Sequence, residues 1–131
     1  MALSLDEALG VQARALEIRA YRAQLLATNI ANADTPNYKA VDMDFREVLT
    51  KAQSGELPLT IASGGQIQSV AGNEEKYPVM YRTPMQPSLD GNTVDTQIEQ
   101  AAFTRNSIQH QAAFMFLNGR IKGILTAIKG Q

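Results

Sequence analysis

Cysteine is absent from the 131 residues, which removes disulfides, thiol catalysis and thiolate metal sites together. The compartment stays open, because a cysteine-free chain suits periplasm and cytosol equally. Histidine occurs once, as His110, and no His/carboxylate spacing points to a metal site around it. An excess of charge is missing as well: a formal net charge of -1 offers no broad attraction for nucleic acid or for an anionic membrane. No stretch approaches the ~20 apolar residues that a bilayer span requires. The first ten residues have neither a positive n-region nor a continuous apolar h-region, so no cleaved signal peptide is expected. Phosphate-cradling glycine loops and the G-x-S-x-G elbow are missing too. Catalysis finds little material here.

What the chain does have is helical periodicity at both ends. Leu5, Leu9, Gln12, Leu16, Arg19, Ala23, Leu26 and Ile30 step by four and three residues in turn. Phe103, Ser107, His110, Phe114, Leu117, Ile121, Ile124 and Ile128 repeat the alternation near the other end. That spacing keeps one residue per step on a single helix face and reads as a coiled-coil seam. A second stripe (Ala8, Val11, Ala15, Ile18, Arg22, Leu25) lies beside the first. The apolar face is therefore wider than a two-stranded seam needs and predicts burial against more than one neighbour. The later helix has a companion stripe of its own, from Val94 through Ile98, Ala101, Arg105, Ile108 and Ala112 to Met115. Arg19, Arg22, Arg105 and Gln12 interrupt the stripes, either to snorkel into water or to meet partners in an assembly.

The boundaries follow from capping chemistry. Ser4 to Glu7 fits a capping box that would start the first helix, and Thr96 to Glu99 fits one that would start the second. The first should run to about Asn32, a rod of about 44 Å, and the second to Lys129 before Gly130, about 55 Å. Asn32 to Asn37 stacks turn formers ahead of and around Pro36, so the chain should bend there. Tyr38 to Phe45 reads as extended or irregular, and Phe45 to Lys51 as a short helix. Residues 57–62 and 67–70 flank Ser63-Gly64-Gly65 as a short hairpin, with Pro78 to Tyr81 as a further strand. The expected fold is mainly α. Residues 1–33 and 93–131 form one discontinuous unit, two long terminal helices paired as an antiparallel coiled coil. Residues 34–92 form a small irregular and β arm.

Two constellations invite a functional reading. Asp42 and Asp44 could act as paired acids, although a solvated edge is far commoner and a hydrolase would also need a preformed pocket. Gly119 and Gly123 stand one turn apart within a helix, where each costs about 1 kcal/mol of propensity relative to Ala. They suggest close approach by another backbone, against the plainer reading of tolerance in a helix held by packing.

The segment Leu26-Ala-Thr-Asn-Ile-Ala-Asn-Ala-Asp-Thr-Pro-Asn-Tyr-Lys39, followed by Asp42-Met-Asp-Phe45, resembles the signature of the flagellar rod and hook protein family. There a long N-terminal helix runs into an Asn-Ile-Ala-Asn-Ala-x-Thr-Pro-Gly-Tyr turn. A second segment, Tyr81-Arg-Thr-Pro-Met-Gln-Pro-Ser-Leu-Asp-Gly-Asn-Thr-Val-Asp95, is similar to that of a proximal rod subunit. The likeness covers most of the chain and is weakest across residues 50–76. Asn37 stands where the family has Gly, and Asn is the non-glycine residue that best tolerates positive φ.

The resemblance implies a non-enzymatic, cofactor-free subunit whose copies pack helically around a central export channel and help to transmit motor torque. It implies a periplasmic rod position, reached through the flagellar type III apparatus without signal-peptide cleavage. Implied partners are copies of itself, rod proteins of the FlgC and FlgF type, the rod-base adaptor FliE, the export gate and the MS ring. Nucleic acid and a membrane span are not implied. Candidate assembly residues are Leu9, Leu16, Leu26 and Ile30 on the first helix, and Asn32, Pro36 and Tyr38 at the turn. On the second helix they are Phe114, Leu117, Gly119, Ile121, Gly123 and Ile124. A cytosolic helical coiled-coil adaptor is the alternative.

Overall fold

The computed structural model describes residues 5–55 and 77–130, with backbone only for residues 5–8. Helix α1 spans Leu5–Ala31, β1 Val41–Asp42, α2 Phe45–Ser54, β2 Met80–Tyr81 and α3 Thr96–Lys129. At 1.5 Å per residue the two long helices measure about 40 Å and about 51 Å. They pack against each other and run antiparallel. Gln12 pairs with Arg120, Arg19 with Gln109, and Asn29 with Glu99, so numbering rises along α1 as it falls along α3. The expected mainly α architecture with a small β element stands. Ser4 and the expected hairpin of residues 57–62 and 67–70 lie outside the described residues.

Helix α1 ends where its turn formers begin. The Asn32 side chain donates back to the Thr28 carbonyl at 2.8 Å, and Thr35 Oγ1 donates to Asn32 Oδ1 at 3.1 Å. Pro36 then forbids continuation. Asn37 takes φ 64°, the left-handed conformation that its short polar side chain tolerates. The chain leaves this elbow extended into β1, which pairs antiparallel with β2 in the register Val41↔Tyr81 and Asp42↔Met80.

A two-residue ladder is marginal alone, and the outer side of β1 is closed by a side chain. Asn29 Oδ1 accepts from Val41 N at 3.1 Å, and Asn29 Nδ2 donates to the Val41 carbonyl at 2.7 Å. The amide of one helical residue thus does what a neighbouring strand would do. Beyond β1, Asp44 caps α2 by accepting from the backbone N–H groups of Arg46 and Glu47 at 2.9 and 3.1 Å. Its carboxylate also meets the positive end of that helix dipole.

The apolar core lies on the α2 side of α1. Ile18, Tyr21 and Leu25 pack with Met43, Val48 and Tyr77, with Phe45 and Leu49 at the margin. The Tyr21 and Tyr77 rings sit 5.3 Å apart, tilted by 57°, within the range of favourable aromatic pairs. The second stripe of α1 therefore has its own neighbour. That is what the wide apolar face predicted: α3 covers one side of α1, and α2 with the arm covers another.

Two expectations about α3 are corrected. The residue that caps it is Asp95, not Thr96: its carboxylate accepts from Gln97 N and Ile98 N at 3.0 and 3.2 Å. Glu99 does not reach back to complete a capping box, because it is wholly buried and engaged elsewhere. The seam is also displaced in part. The covered line of α3 runs through Glu99, Ala102, Asn106, His110, Ala113, Leu117 and Ile124. Phe114 and Ile128 are 59% and 73% exposed, and Ile121 and Phe103 lie at the margin of exposure. Of the expected seam, His110, Leu117 and Ile124 stay covered while Phe114 and Ile128 turn outward, and the hydrogen-bonded Glu99 and Asn106 share the covered line. Gly130 ends the helix at φ 69°, as expected.

Candidate assembly site

Three features of this fold bear on function: a polar knot beneath the arm, a tip built from both sequence motifs, and exposed apolar surface on α3.

The knot joins four elements. Arg22, on α1, clasps Asp42 of β1 through Nε and Nη2, both at 2.9 Å, the bidentate geometry that suits a guanidinium and a carboxylate. Arg82, just past β2, donates to Asp42 Oδ2 and to Glu99 Oε1, each at 2.6 Å. Glu99 Oε2 accepts from Asn29 Nδ2 at 3.0 Å, and Tyr38 Oη donates to Asn29 Oδ1 at 3.2 Å. Asn29 is fully buried and meets its donors and acceptors on every side, as an isolated amide in a core must. Two cations face two carboxylates, so no net charge is stranded. Burial disfavours the Asp42 anion, but the hydrogen bonds from Arg22, Met43 N and Arg82 outweigh it and hold the carboxyl below its ordinary value. The same contact raises Arg22 above its ordinary value.

The tip is a lock between the two motifs. Asn92 is buried, and its side-chain nitrogen lies 3.0, 2.7 and 2.9 Å from the carbonyls of Asn32, Ala33 and Thr35. Asn37 N donates to the Asp90 carbonyl at 2.9 Å, and Thr93 N to the Tyr38 carbonyl at 3.0 Å. Lys39 Nζ reaches the Gly91 carbonyl at 2.7 Å. Gly91 itself takes φ 75°, and a Cβ there would collide with Asn37 Oδ1. Residues some sixty apart thus satisfy each other's backbone, which explains why the two segments carry the family likeness together.

Outward apolar residues lie on more than one side of the second half of α3. Phe114, Met115, Phe116, Leu125 and Ile128 are all exposed, as is Ile108 before them. Gly119 and Gly123 lie among them, and among the described residues nothing beyond the chain neighbours and the helix's own nearby backbone comes within 4 Å of a Cβ built at either.

Of the residues singled out from sequence, Leu26 is fully buried, and Leu9, Leu16, Ile30, Leu117 and Ile124 are half-buried along the helix pair. Asn32 and Tyr38 belong to the tip and the knot, whereas Pro36 is exposed at the elbow. Phe114, Gly119 and Gly123 face solvent, and Ile121 is 39% exposed. Three of the four stripe-breaking polar residues find partners within the chain: Arg22 at Asp42, Arg19 at Gln109 and over the Phe45 ring, Gln12 at Arg120, whereas Arg105 is exposed. Asn29, Arg82, Asn92 and Asn106 were not singled out, and Glu99 was read only as part of a capping box. Their signal was polarity inside otherwise apolar helical faces and within the motifs themselves. Asp42 and Asp44 are separated in role, one held in the knot and the other capping α2. No cluster fit to hold a metal ion occurs among the described residues, and no described helix is long and apolar enough to cross a membrane.

Comparison with curated proteins decides the family. The flagellar basal body rod protein FlgB of Aeromonas hydrophila is 41% identical over 132 residues, covering 100% of this chain and 99% of the relative. FlgB of Salmonella typhimurium is 42% identical, covering 96% of each chain. FlgB of Escherichia coli is 44% identical over 131 residues, covering 95% of each. The chain belongs to the FlgB family of flagellar basal body rod proteins. It is a structural component of the flagellar rod, located in the basal body. No family model matches the chain. The adaptor alternative falls away, since relatives matched over nearly their whole length are rod proteins.

Proposed function

We propose that this rod subunit is non-enzymatic and builds the proximal rod by helical packing of its terminal helices around the export channel, passing torque along the axle. The observation that carries this reading is the exposed apolar surface around the second half of α3. Soluble monomers rarely expose contiguous apolar patches of more than a few hundred Å². Phe114, Met115, Phe116, Leu125 and Ile128 crowd one helix end, although the helix pair already has a covered line of its own that mixes Glu99 and Asn106 with Leu117 and Ile124. A heterologous contact through such a surface propagates into a filament rather than closing into a ring.

The remaining assignments follow from this role. The subunit reaches a periplasmic position through the flagellar export apparatus with its N-terminus uncleaved. Its neighbours are further copies, FlgC- and FlgF-type rod proteins, FliE, the export gate and the MS ring. Leu9, Leu16, Leu26, Ile30, Leu117 and Ile124 shape the helix pair; Asn32, Pro36 and Tyr38 shape the elbow. Phe114, Gly119, Ile121 and Gly123 meet neighbours. The terminal helices act as one unit and residues 34–92 as its arm.

The test replaces Phe114 and Phe116 together by Ser in cells lacking the native copy. The subunit should still be made and exported, with basal bodies arrested before the rod extends. Normal rods and normal swimming from that variant would defeat the reading.

A further inference from the structure

A groove of ≈ 770 Å³ opens between α2 and β2, over α1. Its sides carry Arg19, Arg22, Arg46 and Arg82 against Asp42 and Asp44, with Phe45, Leu49, Met80 and Tyr81 supplying apolar surface. Arg22 and Arg82 are matched by Asp42 and Glu99. The other two cations are not. Arg19 meets only a neutral amide and the Phe45 ring, at 3.9 Å from the ring centroid. The Arg46 guanidinium has no hydrogen-bond or ion-pair partner among the described residues. Burial without a carboxylate, beside the Arg22 charge, pushes Arg19 below its ordinary value, so a carboxylate brought there would be welcome. Met80 and Tyr81 are 54% and 77% exposed at the groove edge.

The tip of the same chain has the opposite character. Asp34, Asp90 and Asp95 are exposed there, against Lys39. Between them Leu89 projects with its side chain wholly in solvent. Yet its loop is fixed by the bonds of Ser88, Asp90 and Asn92 to Asp90, Gly91 and the elbow. A rigid loop presenting a bare leucine beside two carboxylates is a preorganised ligand.

We infer that the arginine-lined groove between α2 and β2 receives the acidic tip of a second copy, Leu89 seating among Phe45, Leu49, Met80 and Tyr81 while Asp34 and Asp90 face Arg46 and Arg19. This rests on the rod reading above but uses surfaces distinct from the outward apolar residues of α3. Joining tip to groove is a heterologous contact, so each copy keeps one free tip and one free groove for the next.

The absence of cysteine makes the test clean. Two single-cysteine copies, Leu89→Cys and Leu49→Cys, are produced together in cells lacking the native copy. Basal bodies are then isolated and oxidised, and the cross-linked peptides identified by mass spectrometry. A disulfide between residues 89 and 49 is necessarily inter-subunit and is the expected product, absent when either copy is alone. Basal bodies that contain both copies and form rods, yet give no 89–49 link, overturn the inference while leaving the rod reading intact. If neither copy enters basal bodies, the rod reading fails instead, and the groove contact fails with it.

Charge exchange supplies the second arm. Arg46→Glu and Asp34→Arg should each slow swarming several-fold, and the two together should restore most of the loss. Neither side chain has a partner within its own described chain, so loss of folding is not the expected cause. Wild-type swarming by both single variants, or no recovery in the double variant, overturns the inference.

Discussion

Arg82 donates to Glu99 at 2.6 Å, and through that contact an arm that touches the helix pair only locally is tied to the first turn of α3. Glu99 is fully buried, whereas Arg82 keeps about a fifth of its side chain in water. Such a pair is asymmetric. The carboxylate depends on its partner more than the guanidinium does, because only the carboxylate has lost all contact with solvent.

Arg82→Ala should therefore destabilise the subunit by about 3–5 kcal/mol, the usual cost of stranding one member of a buried ion pair. Adding Glu99→Gln to Arg82→Ala should recover part of that loss, since a neutral amide is far cheaper to bury than an unpaired anion. Urea unfolding followed by circular dichroism measures both. Equal midpoints for the single and double variants would contradict the account.

Asn92→Ala removes the side chain that serves the carbonyls of Asn32, Ala33 and Thr35. Leaving buried carbonyls without a donor costs about 1–3 kcal/mol. The loss should also be local: amide exchange should accelerate at residues 33–38 and 90–93, with little change at Ile18 or Val48 in the core. Uniform acceleration across α1 and α2 would mean that Asn92 supports the whole fold rather than the lock.

How much of this was legible beforehand depended on the kind of signal. Both long helices, the elbow at Asn32 to Pro36 and the short helix at Phe45 are set by local rules of propensity, capping and proline geometry. They emerged close to where those rules put them. The positive φ of Asn37 accords with the family likeness, which has Gly at that place, and not with those local rules. The pairing face of α3 was foreseen only in part: His110, Leu117 and Ile124 lie on it, but periodicity ranks residues by apolarity and could not place Glu99 and Asn106 there. Phe114 read as part of the seam because an exposed apolar residue can share the period of the residues that meet the partner helix. Glu99 was mistaken for a capping residue for a related reason: its role depends on Arg82 and Asn29, distant in sequence. The likeness to a family supplied what local rules could not, since it joined two motifs that Asn92 and Asp90 bring together in space.

Acid should loosen the knot through Asp42. Hydrogen bonds from Arg22, Met43 N and Arg82, winning against burial, depress its pKa in the folded state. A depressed carboxylate contributes its full stabilisation above the unfolded value, about 3.9 for Asp, and loses it as pH falls through the folded value. The Asp42 contribution should thus be constant from neutral pH down to about 3.9 and decline below it, until the folded value is passed. Urea midpoints measured at neutral pH and in acid, for wild type and Asp42→Asn, isolate the effect. The gap between the two proteins should narrow in acid. A gap that stays constant or widens would show that the carboxylate is not favoured over the acid in the fold.

The glycines of α3 separate folding from assembly most sharply. Gly119 and Gly123 each give up about 1 kcal/mol of helix propensity relative to Ala, and nothing among the described residues crowds either position. Gly119→Leu with Gly123→Leu should therefore raise the helicity of the isolated subunit and leave its urea midpoint unchanged or higher. Leu117 and Ile124, by contrast, are half-buried along the helix pair, and truncating them to Ala should weaken the subunit itself. If another backbone packs at the glycines in the rod, two leucines there insert volume that a close-packed contact cannot absorb. The expected phenotype is a subunit that is made, stable and exported, in cells whose rods do not extend and which do not swim. Counting basal bodies by electron microscopy alongside swarm diameter checks it. Normal rods from the double variant would mean that the outward apolar surface of α3 reaches its neighbours elsewhere, with Phe114 to Phe116 the next positions to probe.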